Sequence, residues 1–139
     1  MRNKILIALI IVVGLAVVYF KAVDTKNTIQ PPKTYGISDY DSALAKAKKQ
    51  QKKVFIVFHA EWCHWCHKLE ADTLSKPSVQ EKLKDYVVLH VDADAHRDLA
   101  RQYGARGLPS YVVTDADGVS LKKGSGYKTV SGFLEWLGD

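Results

Sequence analysis

The only two cysteines of this 139-residue chain, Cys63 and Cys66, follow a short apolar run and precede a stretch that fits a helix. The run from Val54 to Phe58 is β-branched and aromatic throughout, which predicts a strand covered on both faces of a sheet. Residues 68–74 are compatible with a helix. Cysteines three positions apart on a first helical turn can bridge without movement of the backbone. The fold must therefore carry this pair from a buried strand into a helix.

The two thiols of this pair are expected to differ. Cys63 would lie at the positive end of the helix dipole, where free N–H groups stabilise a thiolate. Its pKa should therefore fall below the value of about 8.5 of a free cysteine. We predict that Cys63 is the nucleophile and that Cys66 is the buried resolving thiol.

Helical and strand patterns alternate along the rest of the chain. A hairpin signal at Asp117-Gly118 indicates antiparallel strands, whereas strands joined through helices are typical of parallel pairing. This combination predicts an α/β fold with a central mixed sheet flanked by helices. The predicted elements are a helix beginning near residue 38, strand 54–58, helix 68–74, helix 79–83, strand 86–91, helix 96–103, strand 110–114, strand 119–121 and a closing helix from about residue 130.

The N-terminal segment is uncharged from Ile5 to Phe20 and is preceded by Arg2 and Lys4. We predict one membrane-anchoring helix over residues 1–23, a polar linker over 24–36 and the folded domain over 37–139. A cleaved signal peptide is the alternative for residues 1–23. Basic residues before the apolar run predict an extracytoplasmic domain, on the periplasmic side if the source is bacterial.

The formal net charge of +5 is spread along the chain and forms no continuous basic surface. This distribution argues against a nucleic-acid partner.

The segment from Phe58 to Cys66, FHAEWCHWC, resembles the active site of the thioredoxin superfamily. Gly107-Leu108-Pro109, some forty residues later at the start of a strand, resembles the cis-proline loop of that superfamily. Within it, the chain is most similar to the C-terminal domains of DsbD-type electron transporters and to related exported thioredoxin-like proteins. A thioredoxin-like fold preceded by one transmembrane helix is therefore expected.

The resemblance implies a thiol:disulfide oxidoreductase that exchanges electrons with protein disulfides and dithiols and needs no cofactor or metal. A DsbD-like chain would act as a reductant and could receive its electrons from a donor in the membrane. The alternative role is that of an oxidant or isomerase, which uses the same chemistry. Cys63 would attack and Cys66 would resolve. The substrate-binding residues would be Trp62 at the mouth of the site, His64 and Trp65 between the cysteines, and Leu108 and Pro109 on the opposite loop.

Two departures from thioredoxin concern proton transfer and redox potential. Thioredoxins carry a buried acid six residues before the first cysteine, with a lysine neighbour on the next strand. By this resemblance, the corresponding positions here hold Val57 and Val88. We therefore hypothesise that Glu70, one turn after Cys66, or a water accepts the proton of Cys66. A protonated His64 would stabilise the thiolate and raise the redox potential above the thioredoxin value of about −270 mV.

Three non-catalytic interpretations of the two cysteines are alternatives to an oxidoreductase. The cysteines could form a structural disulfide. Cys63-His64-Trp65-Cys66-His67 also matches the C-x-x-C-H pattern of covalent haem attachment. The same segment could carry copper or zinc, although it cannot surround one ion by itself and would need His59 or a partner.

Overall fold

The computed structural model of the protein describes residues 37–138, together with residues 7, 11–13 and 15 near the N-terminus. The chain divides into two units at residue 31, and the second carries the fold that follows. Its elements in chain order are α1 (Ile37–Gln50), β1 (Lys53–His59), α2 (His64–Leu69), a π-helical turn (Glu70–Leu74), α3 (Pro77–Leu83), β2 (Tyr86–Asp92), α4 (Arg97–Tyr103), β3 (Ser110–Thr114), β4 (Ser120–Ser125) and α5 (Val130–Gly138).

The four strands form one sheet in the order β2-β1-β3-β4. β1 is parallel to β2 and antiparallel to β3, and β3 is antiparallel to β4. The predicted α/β architecture with a mixed sheet is therefore confirmed.

The apolar run of β1 divides its side chains between two cores because alternate residues of a strand face opposite sides of the sheet. Val54, Ile56 and Phe58 join one cluster with residues of α1 and α4. Phe55 and Val57 join the other with residues of α2, the π-helical turn, α3 and α5. Both clusters are buried, so β1 is covered on both faces as its sequence predicts.

The helical segment after the cysteines differs from the regular helix that the sequence predicts over 68–74. α2 ends at Leu69, and Glu70–Leu74 continue as a single π-helical turn. Such turns are frequent at functional sites, and hydrophobic periodicity over so short a stretch does not reveal them.

The predicted anchor over residues 1–23 and the linker over 24–36 lie outside the described residues, apart from the few helical positions near the N-terminus. No helix in the described part of the chain is long and apolar enough to cross a membrane.

Candidate active site

Cys63 and Cys66 are joined by a disulfide at the junction of β1 and α2, with their Cα atoms 5.2 Å apart. β1 ends at His59, and α2 begins at His64. The loop between them closes through a hydrogen bond from the Cys63 N–H to the Ala60 carbonyl. The strand thus delivers the pair to a helix N-terminus, as the spacing predicts.

Cys63 is the N-cap residue of α2, and its side chain is used as the cap. The Cys66 backbone N–H donates to Cys63 Sγ at 3.1 Å. A hydrogen bond to sulfur favours the thiolate over the thiol, and the helix dipole acts in the same direction. The two sulfurs are therefore chemically different, although both residues are buried in the disulfide form, with 4% of Cys63 and 7% of Cys66 exposed.

The loop before β3 brings its predicted residues to the disulfide. The Leu108–Pro109 peptide bond is cis, as the resemblance predicts. Leu108 packs against a small cluster formed by Ala60 and the two cysteines. Pro109 is buried, and its carbonyl accepts a hydrogen bond from the Gly126 N–H at 2.8 Å. The loop is thereby fastened to the end of β4.

Trp62 is the large exposed side chain beside Cys63, with 71% of its surface accessible. Its indole N–H donates to Asp94 Oδ2 at 2.7 Å. The backbone N–H groups of Asp94 and Ala95 in turn donate to Asp92 Oδ1. The ring at the mouth of the site is thus held by the loop after β2, which sequence analysis did not implicate.

The two residues between the cysteines, His64 and Trp65, are exposed and their rings contact each other. The His64 and Trp65 rings are 5.7 Å apart, and the Trp65 ring is 5.9 Å from that of Tyr127. Lys68 Nζ lies 5.2 Å from the centre of the Tyr127 ring. Trp65, which is 53% exposed, therefore offers an aromatic surface supported by Tyr127.

The family assignment follows from a comparison of the sequence with protein-family models. The model of the thioredoxin-like domain matches residues 40–139. This chain belongs to the thioredoxin-like family. The match covers all of the strands that build the site and both cysteines.

Known proteins similar to this thioredoxin-like chain include the thiol:disulfide interchange protein DsbD of Vibrio cholerae, 30% identical over 115 residues. That match covers 78% of this chain and 19% of the relative; the chain spans about a fifth of the length of such curated relatives. Among solved structures, the oxidised DsbD C-terminal domain of Neisseria meningitidis is 26% identical with a TM-score of 0.65, covering 76% of this chain and 96% of that one. A thioredoxin from Thermus thermophilus is 30% identical with a TM-score of 0.65, covering 70% and 80%.

The core beneath the motif is apolar at the position where thioredoxins carry a buried acid. Val57 is buried, and Val88 packs against the same cluster. Val57 is paired in register with His90, whose ring lies 6.2 Å from that of His59. Burial lowers the pKa of His59, and burial together with the neighbouring His59 lowers the pKa of His90 to about 4. Both shifts favour the neutral form of the rings.

His59 carries a buried nitrogen, Nε2, that has no hydrogen-bond partner among the described residues. The metal-binding alternative would need this histidine or a partner as a further ligand. The described residues contain no group of three or more histidine, cysteine, aspartate or glutamate side chains placed to hold a metal ion.

Glu70, the hypothesised proton acceptor, stands where α2 gives way to the π-helical turn. Its backbone N–H donates to the carbonyl groups of Cys66 and His67. Its side chain is partly buried, and this burial raises the pKa of the carboxyl group. A carboxyl group with a raised pKa is a better base than an ordinary glutamate, which suits the proposed role. Within the described part of the chain, no hydrogen bond joins this carboxylate to either sulfur.

Proposed function

We propose that the protein is a thiol:disulfide oxidoreductase in which Cys63 is the nucleophile. The observation that carries this proposal is the N-cap position of Cys63, whose sulfur accepts the Cys66 N–H beside the cis Leu108–Pro109 loop. A structural disulfide needs neither this asymmetry nor an adjacent cis-proline loop. The similarity to proteins named for thiol:disulfide interchange supports the same assignment.

The reaction proceeds by two exchanges at sulfur. The Cys63 thiolate attacks one sulfur of a client disulfide, forms a mixed disulfide and releases the other client sulfur as a thiolate. Cys66 then loses its proton and attacks Cys63 Sγ, which releases the second client thiolate and leaves the Cys63–Cys66 disulfide. Two electrons pass to the client, whose thiolates take up protons. Run backwards, the same steps oxidise a client dithiol.

The remaining site residues have binding and proton-transfer roles in this proposal. Leu108 and Pro109 would receive the extended client backbone, while Trp62, His64 and Trp65 would form the exposed contact surface around the disulfide. Glu70 or a water would accept the proton of Cys66. The apolar surroundings of Val57 support this role for Glu70, because no carboxylate stands at the position six residues before Cys63.

A trapping experiment tests the exchange chemistry. Cys66→Ala should accumulate a mixed disulfide with a peptide disulfide, because Cys63 can attack but nothing resolves the product. Cys63→Ala should not accumulate one. Mass spectrometry of the quenched reactions distinguishes the two, and equal behaviour of the variants would contradict the assignment of Cys63 as nucleophile.

We further propose that the protein acts as a reductant, by analogy with the DsbD relatives. Equilibration of the full chain in nonionic detergent against dithiol buffers, followed by thiol alkylation, gives its potential. A value near or below about −220 mV supports a reductant, whereas a value near about −120 mV would make the protein an oxidant.

We also propose that residues 1–23 anchor the domain on the extracytoplasmic side of a membrane, where a membrane protein could reload the dithiol. The uncharged run from Ile5 to Phe20 after Arg2 and Lys4 supports this location. Recovery in the membrane fraction with an intact N-terminus is expected. A mature chain that starts beyond residue 14 would instead favour a signal peptide, and normal redox cycling in cells by an anchor-free version would contradict the need for a membrane donor.

A further inference from the structure

A cavity of about 460 Å³ opens beside the disulfide exchange site. Trp62 and Leu108, which flank the site, also line this cavity, and the rest of its wall comes from the loop after β2, α4 and the loop before Pro109. Its volume lies in the range of sites that hold drug-sized ligands. A client segment bound to the cis-proline loop would therefore lie next to it.

The wall of this cavity is strongly basic. Three arginines line it, Arg97 and Arg101 on α4 and Arg106 on the following loop, against one carboxylate, Asp94. Asp94 already accepts the hydrogen bond of the Trp62 indole. All three arginines are exposed, so their guanidinium groups remain accessible to a ligand.

The arginines differ in how far they are already paired. Arg101 forms an ion pair with Asp98, and both side chains are more than three-quarters exposed. Such a surface pair stabilises little and can exchange its partner. Within the described part of the chain, no ion pair joins Arg97 or Arg106 to a carboxylate, although each is a strong donor of paired hydrogen bonds.

We propose that this arginine-lined cavity binds an acidic segment of the client protein, next to the client disulfide. The inference rests on the proposed oxidoreductase function and names the class of client that it would prefer. Guanidinium groups match carboxylates in geometry as well as in charge. A peptide is favoured over other anions because the cavity shares Trp62 and Leu108 with the site that must hold a client chain during the mixed disulfide.

Binding can be measured without thiol chemistry. The probe is a fluorescently labelled, cysteine-free peptide of alternating glutamate and serine, compared with a glutamine and serine peptide of equal length. We expect the full chain in nonionic detergent to bind the acidic peptide at least about tenfold more tightly, with the preference decreasing as salt is added. Fluorescence anisotropy gives both dissociation constants.

Charge reversal identifies the cavity as the site. Arg97→Glu/Arg106→Glu should remove the preference for the acidic peptide, and Arg97→Gln/Arg106→Gln should reduce it. The matched control is Lys46→Glu/Lys49→Glu, which makes the same change in net charge at exposed positions of α1. The control should keep the preference. An equal loss in the control, or an unchanged preference in the arginine variants, would overturn the proposal.

A second measurement separates this inference from the proposed function. Every variant is assayed with a small uncharged disulfide, which needs no cavity, and with a peptide disulfide flanked by glutamates. In the unmodified protein, normal rates with the small disulfide but no advantage for the acidic peptide would overturn the inference alone. Absence of exchange with both disulfides in the unmodified protein would overturn the oxidoreductase function, and with it the role of the cavity in client choice.

Discussion

The indole N–H of Trp62 donates to a carboxylate oxygen of Asp94, 2.7 Å away, and this bond ties the exposed ring beside Cys63 to the loop after β2. The two residues are 32 positions apart in the sequence. An exposed tryptophan without such a bond samples several rotamers. Fixing the side chain in one rotamer when a client binds then costs free energy. Asp94 is therefore a positioning residue for the mouth of the site.

Replacing Asp94 with alanine should impair client attack without unfolding the protein. The loss of an exposed hydrogen bond to a charged acceptor is expected to cost about 1 kcal/mol, or about a fivefold lower rate of attack on a neutral peptide disulfide. A neutral peptide keeps the change of charge near the arginines out of the comparison. Stopped-flow fluorescence gives the rate. Asp85→Ala, at an exposed position away from the site, is the control, and equal rates for both variants would contradict a positioning role.

The N-cap geometry of Cys63 predicts that the two thiols titrate differently. In Cys66→Ala, the backbone N–H that donates to Cys63 Sγ is retained, so we expect the pKa of Cys63 to lie below the value of about 8.5 of a free cysteine. In Cys63→Ala, the pKa of Cys66 should lie well above that of Cys63. Ultraviolet absorbance of the thiolate as a function of pH measures both. A higher pKa for Cys63 than for Cys66 would contradict the assignment of the nucleophile.

Replacing Glu70 with glutamine should slow the resolution of the mixed disulfide but make the folded protein more stable. Burial raises the pKa of its carboxyl group, so the folded chain holds this proton to a higher pH than the unfolded chain. Stability contributed by this group is therefore present at low pH and lost as the pH rises through the folded-state pKa. Glu70→Gln removes that loss and should make the protein more stable at neutral pH.

The same substitution should slow resolution of the mixed disulfide if Glu70 accepts the proton of Cys66. Rapid-quench alkylation measures the lifetime of the intermediate, and urea unfolding measures the stability. Glu61→Gln, at an exposed position two residues before Cys63, is the control. A more stable Glu70→Gln variant with an unaltered lifetime would eliminate Glu70 as the acceptor and leave water in that role.

The pair of histidines under the motif predicts acid sensitivity. The pKa of His90 falls from 6.5 to about 4 on folding because the ring is buried beside His59, so between these pH values the unfolded chain binds more protons. The contribution of His90 to the free energy of unfolding is therefore fully present above pH 6.5. As the pH falls towards 4, the free energy of unfolding decreases by up to about 3 kcal/mol. The pKa of His59 is lowered too, which adds to the effect, while Asp92 opposes it by favouring the charged His59.

Urea unfolding at several pH values tests this acid sensitivity. His90→Asn should flatten the dependence of stability on pH between those two values, whereas His96→Asn, at the N-cap of α4, should leave it steep. An equally steep dependence in His90→Asn would show that other groups cause the loss of stability.

The packing of β4 on the second core can be tested at a glycine. A Cβ atom at Gly124 would lie 2.3 Å from a ring carbon of Tyr111, which is fully buried and 4.8 Å from Trp136 between ring centres. Gly124→Ala should therefore destabilise the fold by about 1 to 3 kcal/mol. In contrast, a Cβ at Gly132 in α5 meets nothing closer than 3.4 Å, so Gly132→Ala should stabilise it by up to about 1 kcal/mol. Urea unfolding midpoints measure both, and a neutral Gly124→Ala would contradict this packing.

The sequence by itself determined the parts of this protein that depend on neighbouring residues. An apolar run of five residues identifies β1, the spacing of Cys63 and Cys66 places them on one turn, and Gly107-Leu108-Pro109 identifies the cis-proline loop by resemblance. These features can be recognised in the sequence because strand periodicity, helix capping and turn chemistry depend on only a few neighbouring residues. The order of helices and strands followed from the same local rules.

Only the tertiary structure decided which distant residues meet. The Trp62–Asp94 bond, the approach of His59 to His90 and the arginine-lined cavity join residues from separate elements of the fold, and no periodicity relates them. The π-helical turn at Glu70 also escaped prediction, because its residues fit a regular helix equally well. Strand pairing and side-chain packing bring these groups together, and both depend on contacts between residues far apart in the sequence, which local propensity does not encode.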